Sequence, residues 1–238
     1  MTSLFQVGTV IGFLQGVFDS TFSMEELTKK GNFGLGTVNA VDGELVILDG
    51  VCYRINAEGK AEILPAQMCT PFALVTPFVS NKTFTLKNIN SFEKLENVLE
   101  KDHMATPNIF YAIRIDGNFT SIQFRSEKCQ TKTYRPLAET LPTLQTFFNL
   151  KNSKGTLVGF YCPKYSQGLC IPQFHFHYLD DKKETGGHVF ELEMEEGEVS
   201  IIPLRRFEME AFKSDDFDKM DLDLGILSSV TKVEKKIS

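Results

Sequence analysis

The sequence predicts an α+β fold that is mainly β, with mixed or antiparallel β-sheets built from hairpins and a few short helices. Two Asp-Gly pairs, Asp42-Gly43 and Asp49-Gly50, separate apolar runs, and such pairs readily adopt the positive φ angles that two-residue hairpins require. Few segments show helical spacing. The 238 residues, of which 42% are hydrophobic and 24% charged, suffice for one large domain or for two closely packed β subdomains.

The helices are predicted from their caps. Ser23 and Glu26 form a capping box, in which the Ser23 side chain accepts from the backbone of Glu26 and the Glu26 carboxylate reaches back to Ser23. This box predicts a short helix over residues 24–30. Ser91 caps a second predicted helix over residues 92–101, whose apolar side chains recur at helical spacing.

Turn residues delimit the predicted strands. The two Asp-Gly pairs predict a meander, residues 116–118 predict another hairpin turn, and a polar loop that ends in Gly186-Gly187 predicts a last hairpin. The strands delimited in this way cover residues 34–41, 44–48, 51–55, 110–115, 119–125, 174–179, 188–194 and 199–204.

Composition and charge narrow the class of protein. A net charge of −6 without clustered Lys and Arg argues against nucleic acid as a partner, because neutralising a phosphate backbone takes many cations. No run of about 18 apolar residues occurs, so the sequence predicts no membrane-spanning helix. The first twenty residues carry no Lys or Arg, and the five cysteines are odd in number and scattered. We therefore expect a cytoplasmic protein with reduced thiols.

The histidines are the strongest indication of chemistry. The chain has four, and three of them, His175, His177 and His188, fall within fourteen residues. Residues two apart in a strand point to the same face, and the predicted hairpin can set His188 opposite His177 at about 5 Å between Cβ atoms. Three neutral imidazoles without an obvious fourth protein ligand are typical of a catalytic Zn²⁺ site, in which water or substrate fills the open position.

Two neighbouring residues are candidates for further metal ligands or for other roles. Cys170 is predicted not to bind the metal, because Pro172 intervenes and the odd offset from His175 places it on the other face of a continuous strand. The fourth histidine, His103, is assigned to an exposed helix end. Three structural histidines on a hairpin are the alternative to a metal site. The cluster by itself indicates a metal and leaves the reaction open.

Several segments in the same order give a more specific indication. Phe174-His-Phe-His-Tyr178 followed by Gly186-Gly-His-Val-Phe190 resembles the zinc-ligand segment of the acetolactate decarboxylases. Segments similar to that family also occur at residues 32–37, 42–45, 48–50, 53–54, 70–73, 110–117 and 155–160. The resemblance extends over most of the chain from about residue 25 to residue 195, and several blocks in order are more specific than any one of them.

The resemblance implies an activity and its cofactor. It implies decarboxylation of (S)-2-acetolactate to (R)-acetoin and carbon dioxide through a Zn²⁺-bound enediolate, in the acetoin and butanediol fermentation pathway. The ketone next to the reacting carbon accepts the electrons that carbon dioxide leaves behind, so no organic cofactor is required. A small-molecule substrate, acetolactate, is the implied partner, and the resemblance also implies a homodimer.

The resemblance further implies that Glu44 and Arg125 line the active site, with Thr37 beside them. A two-residue turn at 42–43 would place Val41 opposite Glu44, and Thr37 would then share the face of Glu44. A two-residue turn within 116–118 would place Arg114 and Arg125 on one face. Without the resemblance, a hydrated charge beside a turn and a surface stripe of arginines would be the preferred interpretations of these residues.

A further carboxylate near the C-terminus is implied at Glu234. The alternatives for this role are a mobile tail at Glu234 and substitution by Glu198, Glu208 or Glu210. A soft boundary in the proline-bearing stretch 135–152 divides the chain into residues 1–145, a meander region with two short helices, and residues 146–238, a metal-binding β region with the active-site tail.

Two rival functions remain at this point. A zinc hydrolase would use metal-bound water as the nucleophile and Glu44 as the base. A metal-binding or sensory module without turnover would fill the open coordination position with a fixed ligand. Release of carbon dioxide from acetolactate in proportion to bound zinc separates both rivals from a decarboxylase.

Overall fold

The computed structural model describes residues 2–80 and 82–222. Two β-sheets and a few short helices make up these residues, which confirms the predicted α+β, mainly β class. The helices are α1 (Val10–Leu14), α2 (Met24–Thr28), α3 (Phe92–Val98), α4 (Leu137–Leu144) and α5 (Asp215–Asp218). The strands are β1 (Leu4–Val7), β2 (Phe33–Thr37), β3 (Glu44–Leu48), β4 (Val51–Ile55), β5 (Ala61–Ile63), β6 (Ala73–Thr76), β7 (Thr83–Ile89), β8 (Phe110–Glu127), β9 (Gln145–Cys162), β10 (Gln173–Asp180), β11 (Gly186–Leu204) and β12 (Phe207–Glu210).

The two sheets differ in strand order, and the second has an additional pairing that closes part of it. The first has the strand order β12-β1-β6-β2-β3-β4-β5, and its pairs are antiparallel apart from the parallel pair β1–β12. The second has the order β10-β9-β8-β11-β7. An additional pairing between β10 and β11 closes β8 to β11 into a ring of hydrogen-bonded strands. The β10–β11 hairpin is the element that completes this ring.

Local sequence accounts for the capped helices and for one of the meander turns. The Ser23 hydroxyl accepts from the backbone of Glu26, whose carboxylate accepts from the backbone of Ser23, so the predicted capping box is confirmed. Ser91 caps α3 through the backbone N–H of Lys94. The turn between β3 and β4 is the predicted two-residue turn, with positive φ at Asp49.

The connection between β2 and β3 differs from the prediction. Residues 38–43 form a longer loop with a 3-10 turn at Asn39–Val41, so Thr37 lies directly opposite Glu44. Long-range hydrogen bonds hold this loop: the backbone N–H of Ala40 donates to Phe18 and its carbonyl accepts from Gln130, both at 2.7 Å. Tertiary contacts therefore override the local preference of Asp-Gly for a tight turn.

The hairpin predicted at residues 116–118 is wrong. β8 runs without interruption through this segment, because it is a central strand with β9 on one side and β11 on the other. Gly117 pairs with Gly155 and with Gly197, so it serves close strand packing instead of a turn. The strands predicted at 188–194 and 199–204 likewise merge into the single strand β11.

The two sheets share a hydrophobic core. One buried cluster contains Leu35 of the first sheet, Phe160 of the second sheet, and Leu141 of α4. A second cluster contains residues of β8 to β11, Phe124 and Tyr178 among them, together with residues of β7 and α3. Strands from both sides of residue 145 contribute to both sheets. The division of the chain at that residue stays a prediction.

Two further properties concern location in the cell. No helix within the described ranges 2–80 and 82–222 is long and apolar enough to cross a membrane. All five cysteines are free thiols, and Cys52, Cys162 and Cys170 are buried. The cytoplasmic location stays a prediction.

Candidate metal centre

The three clustered histidines converge in space. His177 lies directly opposite His188 across the β10–β11 hairpin, and His175 precedes it by two residues on the same face. Nε2 of His175 is 3.1 Å from Nε2 of His177 and 3.0 Å from Nδ1 of His188. All three side chains are buried, and their ligand nitrogens lie within 4.8 Å of one another. The predicted three-histidine arrangement is confirmed as a group that can hold a metal ion.

Glycines let the strands approach closely at this point. Gly187 has a φ of 148°, and a Cβ atom at this position would lie 2.1 Å from the carbonyl oxygen of Arg125 in β8. A Cβ at Gly186 would lie 2.0 Å from the carbonyl oxygen of Tyr178. Side chains at these two positions would force β11 away from β8 and β10. The glycine pair therefore places His188 against both neighbouring strands.

Burial keeps two of the imidazoles, those of His175 and His177, neutral. Desolvation lowers the pKa of His177 to about 3, although the hydrogen bond to Leu45 raises it in part, and the Arg125 charge adds a smaller lowering. Desolvation, together with the charges of His177 and Arg125, lowers the pKa of His175 well below its usual value. Neutral imidazoles present the lone pairs that a metal ion requires.

A contact to the first sheet assigns the tautomer of His177. Its Nδ1 lies 2.9 Å from the carbonyl oxygen of Leu45 in β3, and only a protonated Nδ1 can donate to that oxygen. Its Nε2 then carries the lone pair and faces the other two histidines. A backbone carbonyl that orients a ligand histidine in this way is common at metal sites. The residues present therefore fit a bound divalent ion.

Glu44 lies next to this group. It is the first residue of β3 and is buried, with only 6% of its surface exposed. Its Oε2 is 3.3 Å from Nε2 of His177, and its Oε1 is 3.8 Å from Nε of Arg125. The carboxylate thus bridges the space between the histidines and the guanidinium.

Arg125 is held from several sides. It pairs with His188 across β8 and β11, which brings it to the metal centre. Its Nε is 2.8 Å from Oε1 of Glu127, and its Nη1 donates to Oε1 of Gln145 at 3.3 Å. The guanidinium carbon lies 5.2 Å from the centre of the Phe190 ring. Such contacts restrict the orientation of the planar fork.

Thr37 stands opposite Glu44 in the β2–β3 pair. Its hydroxyl donates to the carbonyl oxygen of Gly43 at 2.8 Å, and the side chain is buried. Because the hydroxyl proton is committed to the backbone, the oxygen faces its surroundings as an acceptor.

One cavity, of about 410 Å³ when its opening to solvent is included, brings these groups together. Its polar wall consists of the metal centre with the acidic, basic and hydroxyl side chains just described. Its apolar wall includes residues of α1 and α4. The lining residues are Phe13, Gly36, Thr37, Val41, Glu44, Phe72, Arg125, Glu127, Leu137, Leu141, Ile171, His175, His177 and His188. The cavity is open to solvent, so a small ligand can reach these groups.

Other candidate site residues lie elsewhere. Cys170 donates to Oε1 of Gln6 at 2.9 Å and is not part of the metal group. His103 lies at the end of the helical segment that follows α3, as predicted, but it is half-buried and stacks on Phe84 at 3.6 Å between ring centres. Glu234 lies outside the described residues. None of its three alternatives lines the cavity: Glu198, Glu208 and Glu210.

Sequence reasoning missed three residues around Arg125: Glu127, Gln145 and Phe190. Glu127 could have been found, because it follows Arg125 by two positions in the same strand and so shares its face. Gln145 could not, since it reaches Arg125 only through the long β8–β9 pairing. Phe190 follows His188 by two positions in β11, but a register shift begins beside it.

Comparison with known proteins identifies the family. The family model for alpha-acetolactate decarboxylase matches residues 4–224. The chain belongs to the alpha-acetolactate decarboxylase family. This assignment makes it an enzyme of the carboxy-lyase class and confirms the resemblance derived from the sequence segments.

Relatives of this family match over nearly the whole chain. The alpha-acetolactate decarboxylase of Methanosarcina mazei is 37% identical over 232 residues, which cover 98% of this chain and 80% of the relative. That of Brevibacillus brevis is 35% identical over 98% of this chain and 81% of the relative. The crystal structure of alpha-acetolactate decarboxylase from Bacillus subtilis superposes with a TM-score of 0.94 at 33% identity, covering 98% of this chain and all of that one.

Proposed function

We propose that this family member decarboxylates (S)-2-acetolactate to (R)-acetoin and carbon dioxide, as a step of acetoin and butanediol fermentation. The observation that carries the proposal is the placement of three buried imidazoles beside Arg125 and Glu44 in one cavity. The relatives cited above are named alpha-acetolactate decarboxylases, which supports the same substrate for this chain.

His175, His177 and His188 would hold the metal, which we propose to be Zn²⁺. Three imidazole ligands suit zinc at a catalytic site because they leave a coordination position open. When bound, the ion supplies Lewis-acid stabilisation of negative charge that develops on substrate oxygens. Leu45 supports this role, because its carbonyl oxygen fixes the tautomer and ring orientation of His177.

Arg125 would bind the substrate carboxylate or a neighbouring oxygen. A guanidinium fork pairs with a carboxylate through two parallel hydrogen bonds, which fixes orientation as well as adding energy. The breaking carbon–carbon bond has to overlap the π system of the adjacent ketone, so orientation governs the rate. The contacts of Arg125 with Glu127, Gln145 and Phe190 would keep the fork in place for this purpose.

Glu44 would supply the proton. Loss of carbon dioxide leaves an electron pair that the ketone accepts, and protonation of the carbon from one face then yields a single enantiomer. A carboxyl group fixed on one side of the cavity between His177 and Arg125 is suited to such one-sided delivery. Thr37, opposite Glu44, would accept a hydrogen bond from this carboxyl group or from substrate. Glu234 remains a second proposed proton donor.

The test is carbon dioxide release from acetolactate, measured together with bound zinc. We expect turnover that disappears on chelation, returns with zinc, and yields (R)-acetoin by chiral chromatography. The Glu44→Gln variant should retain zinc and lose most of the turnover, since its amide cannot deliver a proton. An exposed Glu139→Gln variant is the matched control. Hydrolytic products, or zinc binding without carbon dioxide release, would instead favour one of the two rival functions.

The proposed homodimer rests on the resemblance to the family. Light scattering on the purified protein should give twice the mass of the 238-residue chain at micromolar concentration. A monomer mass would contradict it without affecting the proposed reaction.

A further inference from the structure

Glu127 is an ionisable residue of the cavity wall. In the reaction proposed above it contacts Arg125 but not the substrate. It is 3% exposed and lies in β8 two residues after Arg125. Its Oε1 is 2.8 Å from Nε of Arg125, whereas its Oε2 is buried and has no hydrogen-bond partner within residues 2–80 and 82–222. One oxygen is therefore used by the protein, and the other is not.

Strand alternation explains why this carboxylate borders the cavity. The intervening Ser126 points to the opposite side, where its hydroxyl donates to the carbonyl oxygen of Ile55 at 2.6 Å. Glu127 is thereby placed on the face of Arg125, among the residues that line the cavity with the histidines. A residue that served only to hold Nε of Arg125 would need one acceptor atom.

An unpaired carboxylate oxygen in a buried position is costly unless water or a ligand satisfies it. When a ligand fills the cavity, the hydrogen-bond donors that can reach Oε2 are those of the ligand. At neutral pH, 2-acetolactate carries a carboxylate and a ketone, which only accept hydrogen bonds, and one hydroxyl group, which is its single donor. Arg125 can only donate, so it cannot accept from that hydroxyl. A carboxylate oxygen on the same wall can.

We propose, on the basis of the function proposed above, that Glu127 contacts the substrate. Its Oε1 orients the guanidinium of Arg125, and its Oε2 accepts a hydrogen bond from the 2-hydroxyl group. Arg125 and Glu127 then act as a pair that reads the two neighbouring groups of a 2-hydroxy acid, the carboxylate and the hydroxyl. An acid of the same size without the hydroxyl would leave Oε2 unsatisfied, so Glu127 determines specificity for 2-hydroxy acids.

The test compares two unreactive acids of equal size. 2-Hydroxyisobutyrate carries the hydroxyl, and pivalate has a methyl group in its place. Dissociation constants are measured by calorimetry on the zinc-loaded protein, and the ratio of the pivalate value to the hydroxy acid value is the readout. Any contribution of the metal to this ratio is present in wild type and variant alike. We expect the ratio to fall about tenfold or more in Glu127→Gln, because a hydrogen bond to a charged acceptor is lost.

The choice of glutamine isolates the contact. Its amide oxygen can still lie against Nε of Arg125 as Oε1 does in the ion pair, which leaves the NH₂ group, a donor, where Oε2 stood. The matched control is Glu139→Gln, the same change at a residue of α4 that forms an exposed ion pair with Arg135. For this control we expect the wild-type ratio. An unchanged ratio in Glu127→Gln, with both acids bound more weakly, would overturn the hydroxyl contact and leave only support of Arg125.

A second measurement needs no variant. The methyl ether of 2-hydroxyisobutyrate keeps the oxygen atom but has no donor, so wild type should bind it at least about tenfold more weakly than the hydroxy acid. Equal binding of the two, or no binding of the hydroxy acid at all, would overturn the proposal. A wild-type protein that prefers the hydroxy acid but releases no carbon dioxide from acetolactate would instead contradict the proposed function and leave the role of Glu127 standing.

Discussion

At the scale of single residues, several side chains of the site have two roles each. His177 combines a ligand nitrogen with a hydrogen bond from its other ring nitrogen to Leu45, and Arg125 combines a cross-strand position beside His188 with an ion pair to Glu127. Each of these side chains is almost fully buried. Small changes of donor geometry should therefore have large effects, because no solvent can replace a lost contact.

Arg125→Lys tests this sensitivity. Lysine keeps the positive charge but replaces the planar fork by a single ammonium, which cannot reproduce two parallel hydrogen bonds. We expect kcat/KM for acetolactate to fall by at least about tenfold, while bound zinc, measured by elemental analysis, stays unchanged. The exposed Arg135→Lys variant serves as the control and should retain wild-type turnover. Wild-type kcat/KM in Arg125→Lys would mean that charge alone suffices.

At the scale of elements, the β10–β11 hairpin builds the metal centre from contiguous chain. Two of its ligands follow from the two-residue period of β10, and the third follows from the direct pairing of His177 with His188. The same hairpin closes the ring of strands β8 to β11. The convergence of the three imidazoles and the closure of the sheet therefore depend on the same close backbone contacts.

Gly187→Ala tests the coupling between strand packing and metal binding. The added methyl group would meet the backbone carbonyl of Arg125 at 2.1 Å, so β11 has to move and carry His188 with it. We expect loss of most bound zinc and a lower melting temperature. Gly50→Ala is the matched control: its φ of 82° is also unfavourable for alanine, but the nearest heavy atom, in Asn32, is 4.0 Å away.

Gly50→Ala should therefore reduce stability by about 1 kcal/mol and leave zinc content intact. Thermal unfolding followed by circular dichroism and elemental analysis provide the two measurements. Equal zinc loss in both variants would show that backbone strain, and not the contact between β11 and β8, controls the metal centre.

At the scale of the whole molecule, the site lies where the two sheets meet. The histidines come from the second sheet, while Glu44, Thr37 and the carbonyl of Leu45 come from the first. The sheets share one hydrophobic core, to which α1 and α4 contribute. A bound metal ion would thus reinforce an arrangement that involves both sheets.

Removal of the metal should consequently lower the stability of the entire fold. A ligand that binds only the folded state adds about 2.7 kcal/mol when its free concentration is a hundredfold above its dissociation constant. We expect a single unfolding transition that shifts to lower temperature with a chelator and returns with zinc. His188→Ala should unfold at the same temperature with and without zinc. A chelator-insensitive melting temperature in wild type would contradict the proposed metal centre.

The sequence alone determined the features that depend on near neighbours in the chain. The capped helices, the β3–β4 turn at Asp49, and the pairing of His177 with His188 follow from local hydrogen bonding and from the two-residue period of strands. The family could be inferred as well, since its segments are short and contiguous. These features do not require knowledge of distant residues.

Only the tertiary structure decided the features that depend on distant partners. β8 runs straight through Gly117 because strands on both sides supply hydrogen bonds that outweigh a local turn preference. Thr37 meets Glu44 because the loop between them is held by Phe18 and Gln130. Glu127 is likewise buried beside Arg125, and this burial arises only in the assembled sheets. Burial and long-range pairing are properties of the assembled sheets, so local patterns in the chain carry little information about them.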